Sequence, residues 1–224
     1  MDLPASSGTH ISPGHLTRAG WTHKRVTTSQ RLRPQKLPAE PPPGEHSLEY
    51  SLTLPSEASD SVFKHIGFNW NPHGHEPSNI YDVGHFDFHF YLISEKERMA
   101  ITAAGDDLKK AYTPMPKEFQ PEGYVLGPDS AFPRMGAHWA DPNSHEFHGH
   151  PFTKTFIYGN YDGKLIFFEP MVTLDYLRTK PNVIEALKLP SKFAVPGYYP
   201  SSYSITYNAE TREYTVALEG MTQR

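Results

Sequence analysis

Residues 85–91, His-Phe-Asp-Phe-His-Phe-Tyr, alternate strictly between aromatic and polar side chains. Alternate side chains of a β-strand share a face. His85, Asp87, His89 and Tyr91 therefore line one side, while Phe86, Phe88, Phe90 and Leu92 line the other. Two imidazoles and a carboxylate on one face are more than a solvent face needs, and they are the chemistry of a metal site. A strand rise of roughly 3.3 Å per residue puts the Cβ atoms of i and i+4 about 13 Å apart. A histidine reaches an ion about 5–6 Å from its Cβ. His85 and His89 thus cannot share one ion on a regular strand. Same-face neighbours about 6.6 Å apart can, so Asp87 pairs with one of the two histidines and the other ligands come from elsewhere.

Four further residues are suppliers. His75 and Glu76 lie in His73-Gly-His-Glu-Pro77, which Gly74 and Pro77 make tight. His138 lies in Met135-Gly-Ala-His-Trp139, and Glu169 stands beside Pro170 at the end of a strand. Mixed histidine and carboxylate donors suit zinc, iron or manganese. Asp87 has a second role open to it, orienting a ligand histidine through its other ring nitrogen. The competing interpretation is a hydrogen-bonded His–Asp–Tyr network that holds loops and binds no ion.

Other chemistries are poorly supplied. With no cysteine there are no disulfides, thiolate metal sites or thiol nucleophiles. There is no Gly-x-Ser-x-Gly, no triad context for Ser130 or Ser144, and no phosphate-cradling glycine loop. His145, His148 and His150 fall in a polar loop and are expected to be exposed, whereas His10, His15, His23 and His46 lie in an expected tail or linker. The aromatics Tyr158, Tyr161, Phe167, Phe168, Tyr198 and Tyr199 are expected in the core rather than in a ligand cage.

The elements that must position these residues are short strands. The chain has 224 residues, with 22 prolines and 16 glycines, a mixture that favours many turns over long helices. Strands are expected at 48–54, 63–70 and 85–93, followed by a helix capped by Ser94 and Glu97 and ending near 104–105. Residues 106–135 read as a long Pro/Gly-rich excursion. Asp162-Gly163 is a hairpin signal between strands at 153–161 and 164–169. A short capped helix at 173–178 and a terminal hairpin at 203–207 and 213–218 complete the pattern. Seven or so antiparallel strands with two or three short helices imply a mainly β fold, an antiparallel sandwich or barrel-like sheet, in a single domain over 46–224.

Residues 1–45 read as a disordered basic, Pro-rich tail and linker with neither a strand pattern nor an export signal. Six Lys/Arg against Asp2 give residues 1–36 a charge of +5, leaving −9 for the rest of a chain of net charge −4. An acidic body argues against nucleic acid as its partner, and no apolar run is long enough for a membrane span.

These motifs carry a resemblance. The run Asn69-Trp-Asn-Pro-His-Gly-His-Glu-Pro77, then Ile80-Tyr-Asp82 and His85–Tyr91, is similar to a bacterial family of unknown function, the TTHB-two-ten-like family. Its structurally described member is a thermophile protein under extracytoplasmic stress sigma-factor control. The similarity continues through Gly136-Ala-His-Trp139, Pro151–Gly159, Tyr161-Asp-Gly163, Phe168-Glu-Pro-Met171 and Pro196–Pro200, covering roughly residues 37–224. It implies a mainly β, homo-oligomeric domain without established enzymatic activity. It also implies an exported or periplasmic location and an additional N-terminal β segment, both of which the reading of residues 1–36 lacks. His75, Glu76, His85, Asp87, His89, His138 and Glu169 fall on the family's polar motif positions.

The expected function is therefore a metal-binding, non-catalytic stress or envelope-associated protein, with zinc or another divalent transition metal. The alternatives are an interaction module with a purely structural polar network, and a cupin-like metalloenzyme, an oxygenase or isomerase. The latter is suggested by Asp87-x-His89 with Pro133-Arg-Met-Gly-Ala-His138.

Overall fold

The computed structural model describes residues 16–22, 25–30, 40–41, 47–54 and 61–224, the first two segments as backbone. Strand β1 spans Leu16–Thr22, β2 Arg25–Gln30, β3 Leu48–Thr53, β4 His65–Asn71 and β5 His85–Tyr91. Helices α1, Glu95–Met99, and α2, Asp106–Ala111, follow. Next come β6 at Val125–Phe132, β7 at Gly136–Ala140, β8 at Lys154–Tyr161, β9 at Lys164–Thr173 and α3 at Leu174–Arg178. The remainder is β10 at Asn182–Ala186, β11 at Tyr198–Tyr199, β12 at Ser202–Asn208, β13 at Glu213–Glu219 and β14 at Thr222–Gln223.

The fold is mainly β, as the composition implies, and sandwich-like rather than a closed barrel. A seven-stranded antiparallel sheet, ordered β3-β4-β5-β9-β8-β7-β6, faces a five-stranded sheet ordered β1-β2-β13-β12-β10. The core between them is aromatic. Phe68, Phe86, Phe88, Phe90, Phe156 and Phe168 of the larger sheet meet Tyr203, Ile205, Val216 and Leu218 of the smaller. The Phe156 and Tyr203 rings, for example, lie 5.0 Å apart. Each such ring buries 150 Å² or more, roughly, so the apolar face of β5 is tied to the heart of the molecule.

Local signals act as expected at several points. Asp162 and Gly163 both take positive φ, the geometry of a tight hairpin turn between β8 and β9. Ser94 accepts from the Glu97 amide while Glu97 accepts from the Ser94 amide, a complete capping box.

Several expectations need correction. Residues 16–22 and 25–30 form strands within the segment read as a structureless tail, and β2 pairs with β13 along its whole length. Their sequences lack an apolar alternation, but β13 offers a row of backbone groups that a second strand can satisfy whatever its side chains. The remaining residues expected in the tail and linker lie outside those described, apart from 40–41. The excursion at 106–135 holds α2 and β6, where Gly127 and Pro128 interrupt the periodicity and the register with β7 shifts between Leu126 and Ala131. Strand β10 was also unforeseen, because its alternation is between exposed and half-buried positions. With the two-residue strands β11 and β14, the described residues hold fourteen strands rather than seven or so. The α1 helix stops at Met99, short of the expected end.

The other face of the seven-stranded sheet is also covered. Tyr91, Ile101, Ile166 and Phe167 pack together at one end, under the segment that carries α1 and α2. Tyr81, Phe152, Ile157 and Met171 close the other end. Gly159 is required here: a Cβ at this position would lie 2.0 Å from the Phe167 ring. We expect Gly159→Ala to lower unfolding free energy in urea by about 1–3 kcal/mol, because Phe167, itself fully buried, must shift to admit the methyl group.

Candidate metal centre

The polar residues of β5 lie on this second, covered face. Pairing runs His85↔Asn71, Asp87↔Asn69 and His89↔Gly67 toward β4, and Asp87↔Met171 toward β9. His138 of β7 is opposite Gly159 of β8, and Glu169 of β9 is opposite Ile157. Three neighbouring strands and β7 thus point histidines and carboxylates into one layer. His85, Asp87, His89 and Glu169 are each at most 3 % exposed.

The layer contains two groups of converging donors. His75, His85 and Asp87 form one, and His89, His138 and Glu169 the other, with the donor atoms of each group within 4.8 Å of one another. As the strand spacing requires, His85 and His89 belong to different groups, and Asp87 pairs with His85.

In the first group the loop between β4 and β5 folds back so that His75 meets His85. Gly74 makes this possible, with φ of 72° and no room for a Cβ, which would fall 2.1 Å from the Tyr81 carbonyl. The Nδ1 atoms of His75 and His85 lie 2.6 Å from the Glu76 carbonyl and 2.7 Å from the Val83 carbonyl. A carbonyl only accepts, so each Nδ1 carries a proton, and in its neutral form each ring presents the Nε2 lone pair. Those two Nε2 atoms face each other at 3.0 Å. Asp87 stands beside them, 3.2 Å from His85 Nε2 and 3.6 Å from His75 Nε2. Asn71 donates to Asp87 Oδ2 at 2.7 Å, which leaves Oδ1 without a hydrogen-bond partner among the described residues.

A tetrahedral ion with bonds of about 2.1 Å holds its donors roughly 3.4 Å apart. The separations of 3.0 Å between the imidazoles and 3.2 Å from His85 Nε2 to Asp87 Oδ1 fall a few tenths of an ångström inside that value, and the 3.6 Å from His75 Nε2 to Asp87 Oδ2 falls just outside it. Burial pushes the Asp87 carboxyl up, but the facing His85 and His75 imidazoles outweigh it and hold it well below the usual carboxylate range. Burial pushes His75 down, and Asp87 more than reverses this, leaving it raised.

In the second group His89 Nε2 is 3.2 Å from Glu169 Oε1, and His138 Nε2 is 3.8 Å from Glu169 Oε2. Burial holds the His89 imidazole well below its ordinary value and raises Glu169 well above its own, with Asp87 adding to the latter. Burial lowers His138 to about 4.

Glu76 joins neither group. The turn that brings His75 over β5 sends the next side chain outward, so Glu76 is exposed and contributes its main-chain carbonyl instead. His145, His148 and His150 are exposed, as their loop suggested, and Tyr158, Phe167, Phe168 and Tyr199 are core. Asn71, the Val83 and Ser130 carbonyls, and a ring stack went unread in the sequence. His65 stacks on Tyr91 at 4.7 Å, Tyr91 on His89 at 5.6 Å, and the buried Arg98, paired with Glu49 at 2.8 Å, lies over Tyr91. The alternation His65-x-Gly67-x-Asn69-x-Asn71 on β4 was the available signal for much of this set.

Burial first, and then the Arg98 charge, lower His65 to about 4, against weaker opposing effects of Glu95 and Glu49. Its ordinary value is about 6.5, so between these limits the unfolded chain takes up a proton that the folded chain refuses. His65 therefore favours folding fully above about pH 6.5 and loses that contribution as pH falls toward 4. His65→Phe, which keeps the stack on Tyr91, should remove up to about 3 kcal/mol of acid destabilisation across that window in denaturant titrations. An unchanged slope would contradict a neutral buried His65.

No family model, curated protein or solved structure matches this chain.

Proposed function

We propose that this protein binds a divalent transition metal, zinc foremost, through His75 Nε2, His85 Nε2 and Asp87 Oδ1. One observation carries the reading. A buried imidazole, His85, and a half-buried one, His75, each with an Nδ1 proton committed to a main-chain carbonyl, turn their Nε2 atoms on each other at 3.0 Å beside a carboxylate. In their neutral forms the two rings set lone pair against lone pair at that distance, a repulsion relieved by a cation between them, whether a proton or a metal ion. Carbonyl partners on the remote ring nitrogen are the usual support of ligand histidines. The donor set of two imidazoles and one carboxylate, with no thiolate, suits zinc, iron or manganese.

The resemblance of the surrounding motifs to the TTHB-two-ten-like family supports a non-catalytic stress or envelope-associated role in a homo-oligomer. One feature favours an enzyme instead: three protein donors leave a tetrahedral ion one position for water, as catalytic sites do. If the cobalt-substituted protein shows no change in its visible spectrum on adding azide, that second reading falls.

Zinc added to chelator-treated protein should raise Tm. At a hundredfold excess over Kd the stabilisation is about 2.7 kcal/mol, which in a chain of this size moves Tm by roughly 5–10 °C. His85→Gln and Asp87→Asn should each weaken zinc binding at least about 100-fold, more than the loss of a supporting partner costs. A Tm indifferent to zinc and chelator, with no stoichiometric metal in the purified protein, would overturn the proposal.

A further inference from the structure

The second group differs from the first in kind. Neither ring nitrogen of His89 has a hydrogen-bond partner among the described residues, and neither does Glu169 Oε2. His89 is 1 % exposed and Glu169 2 %, so water does not satisfy these atoms from bulk. A buried, unpaired polar group costs the desolvation it has not recovered, and such groups are rare without a reason. The His89 Nε2 to Glu169 Oε1 distance of 3.2 Å is short enough for a hydrogen bond, but the direction is wrong for one. Donors that converge on a common point, rather than on each other, have this geometry. His138 is prepared in the same way as the histidines of the first group. Its Nδ1 lies 2.7 Å from the Ser130 carbonyl, so its Nε2 presents a lone pair toward Glu169.

The frame is rigid. The three donors come from β5, β7 and β9, and Phe167 packs against both imidazoles, 4.9 Å from His89 and 5.3 Å from His138. Tyr91 stacks on His89 at 5.6 Å and meets Phe167 at 5.3 Å, so the three rings form one packed cluster. These residues share no donor with the first group, although Asp87 and His89 are neighbours on one face of β5.

We infer that His89, His138 and Glu169 form a second metal site, so that this sheet face holds two divalent transition ions, one on each side of the step from Asp87 to His89. This rests on the reading of the first group as a metal site for the pairing, but the second site stands on its own donors. The two differ in access. The His75 side chain is 29 % exposed, whereas the second group's most exposed side chain, His138, is 14 % exposed. The first ion exchanges with solvent more readily, and the second is held deeper in the same covered layer.

The test uses the full chain freed of metal by chelator, then dialysed against zinc, with zinc counted by plasma mass spectrometry. A chain carrying His148→Ala and His150→Ala serves as the reference, to remove surface binding. The expected result is two ions per chain in the reference. One should remain after His75→Gln with His85→Gln, and one after His89→Gln with Glu169→Gln. Chelator should strip the reference in two phases, and the slow phase should be missing when His89 and Glu169 are replaced. Should that double variant misfold, cobalt titration of the unsubstituted protein replaces it, with two successive spectral phases expected.

A single ion, or a single spectral phase, overturns the pair. If the single ion survives loss of His89 and Glu169, the first site alone stands. If it survives loss of His75 and His85 instead, the proposed function at the first group fails. If no ion binds, both fail and the groups are a structural polar network.

Discussion

The central strands of the seven-stranded sheet, β4, β5 and β9, are buried on both faces, and on one of them the buried groups are ionisable. An ordinary antiparallel sheet in a sandwich hides one face and wets the other. Here the second face carries His65, Asn69, Asn71, His85, Asp87, His89 and Glu169, all buried. Polar groups removed from water must be paired or must neutralise. Much of the remaining architecture answers that requirement. Arg98 enters from α1 to meet Glu49, Asn71 crosses from β4 to hold Asp87, and the loop after β4 folds back to bring His75 over His85.

The two faces are mechanically coupled through β5. Its Phe86, Phe88 and Phe90 are locked in the aromatic core, so the polar side chains between them have fixed origins. Backbone pairing on both sides fixes β5 further, since it lies inside the sheet between β4 and β9. A donor set built on strands is held more closely than one built on loops. Only His75 comes from a loop, and that loop is tied down: the His75 amide bonds the Tyr81 carbonyl and Asp82 accepts from the Asn79 amide.

Glycine and aromatic residues set the height of the covered layer. Phe167 lies across Gly159, where any Cβ would strike the ring, and so reaches both His89 and His138. Gly67, opposite His89, similarly leaves room for Tyr91 and Arg98. The same small positions that let the aromatic rings pack also determine where the imidazoles stand.

The strict alternation of residues 85–91 by itself determined a strand with one aromatic and one ionisable face. Its 3.3 Å rise, approximately, also determined that His85 and His89 cannot serve one ion. The Asp162-Gly163 turn and the Ser94–Glu97 cap were equally legible, because each depends on residues within four positions of one another. What tertiary structure alone decided is which distant residues meet. His75 joins His85 rather than His89 through a loop closure, and His138 and Glu169 meet His89 through the order of β5, β9, β8 and β7 in the sheet. Glu76 was excluded by the direction of a turn. The strands β1 and β2 were invisible for a related reason: their pairing with β13 uses backbone groups that every residue carries, so no side-chain pattern announces it.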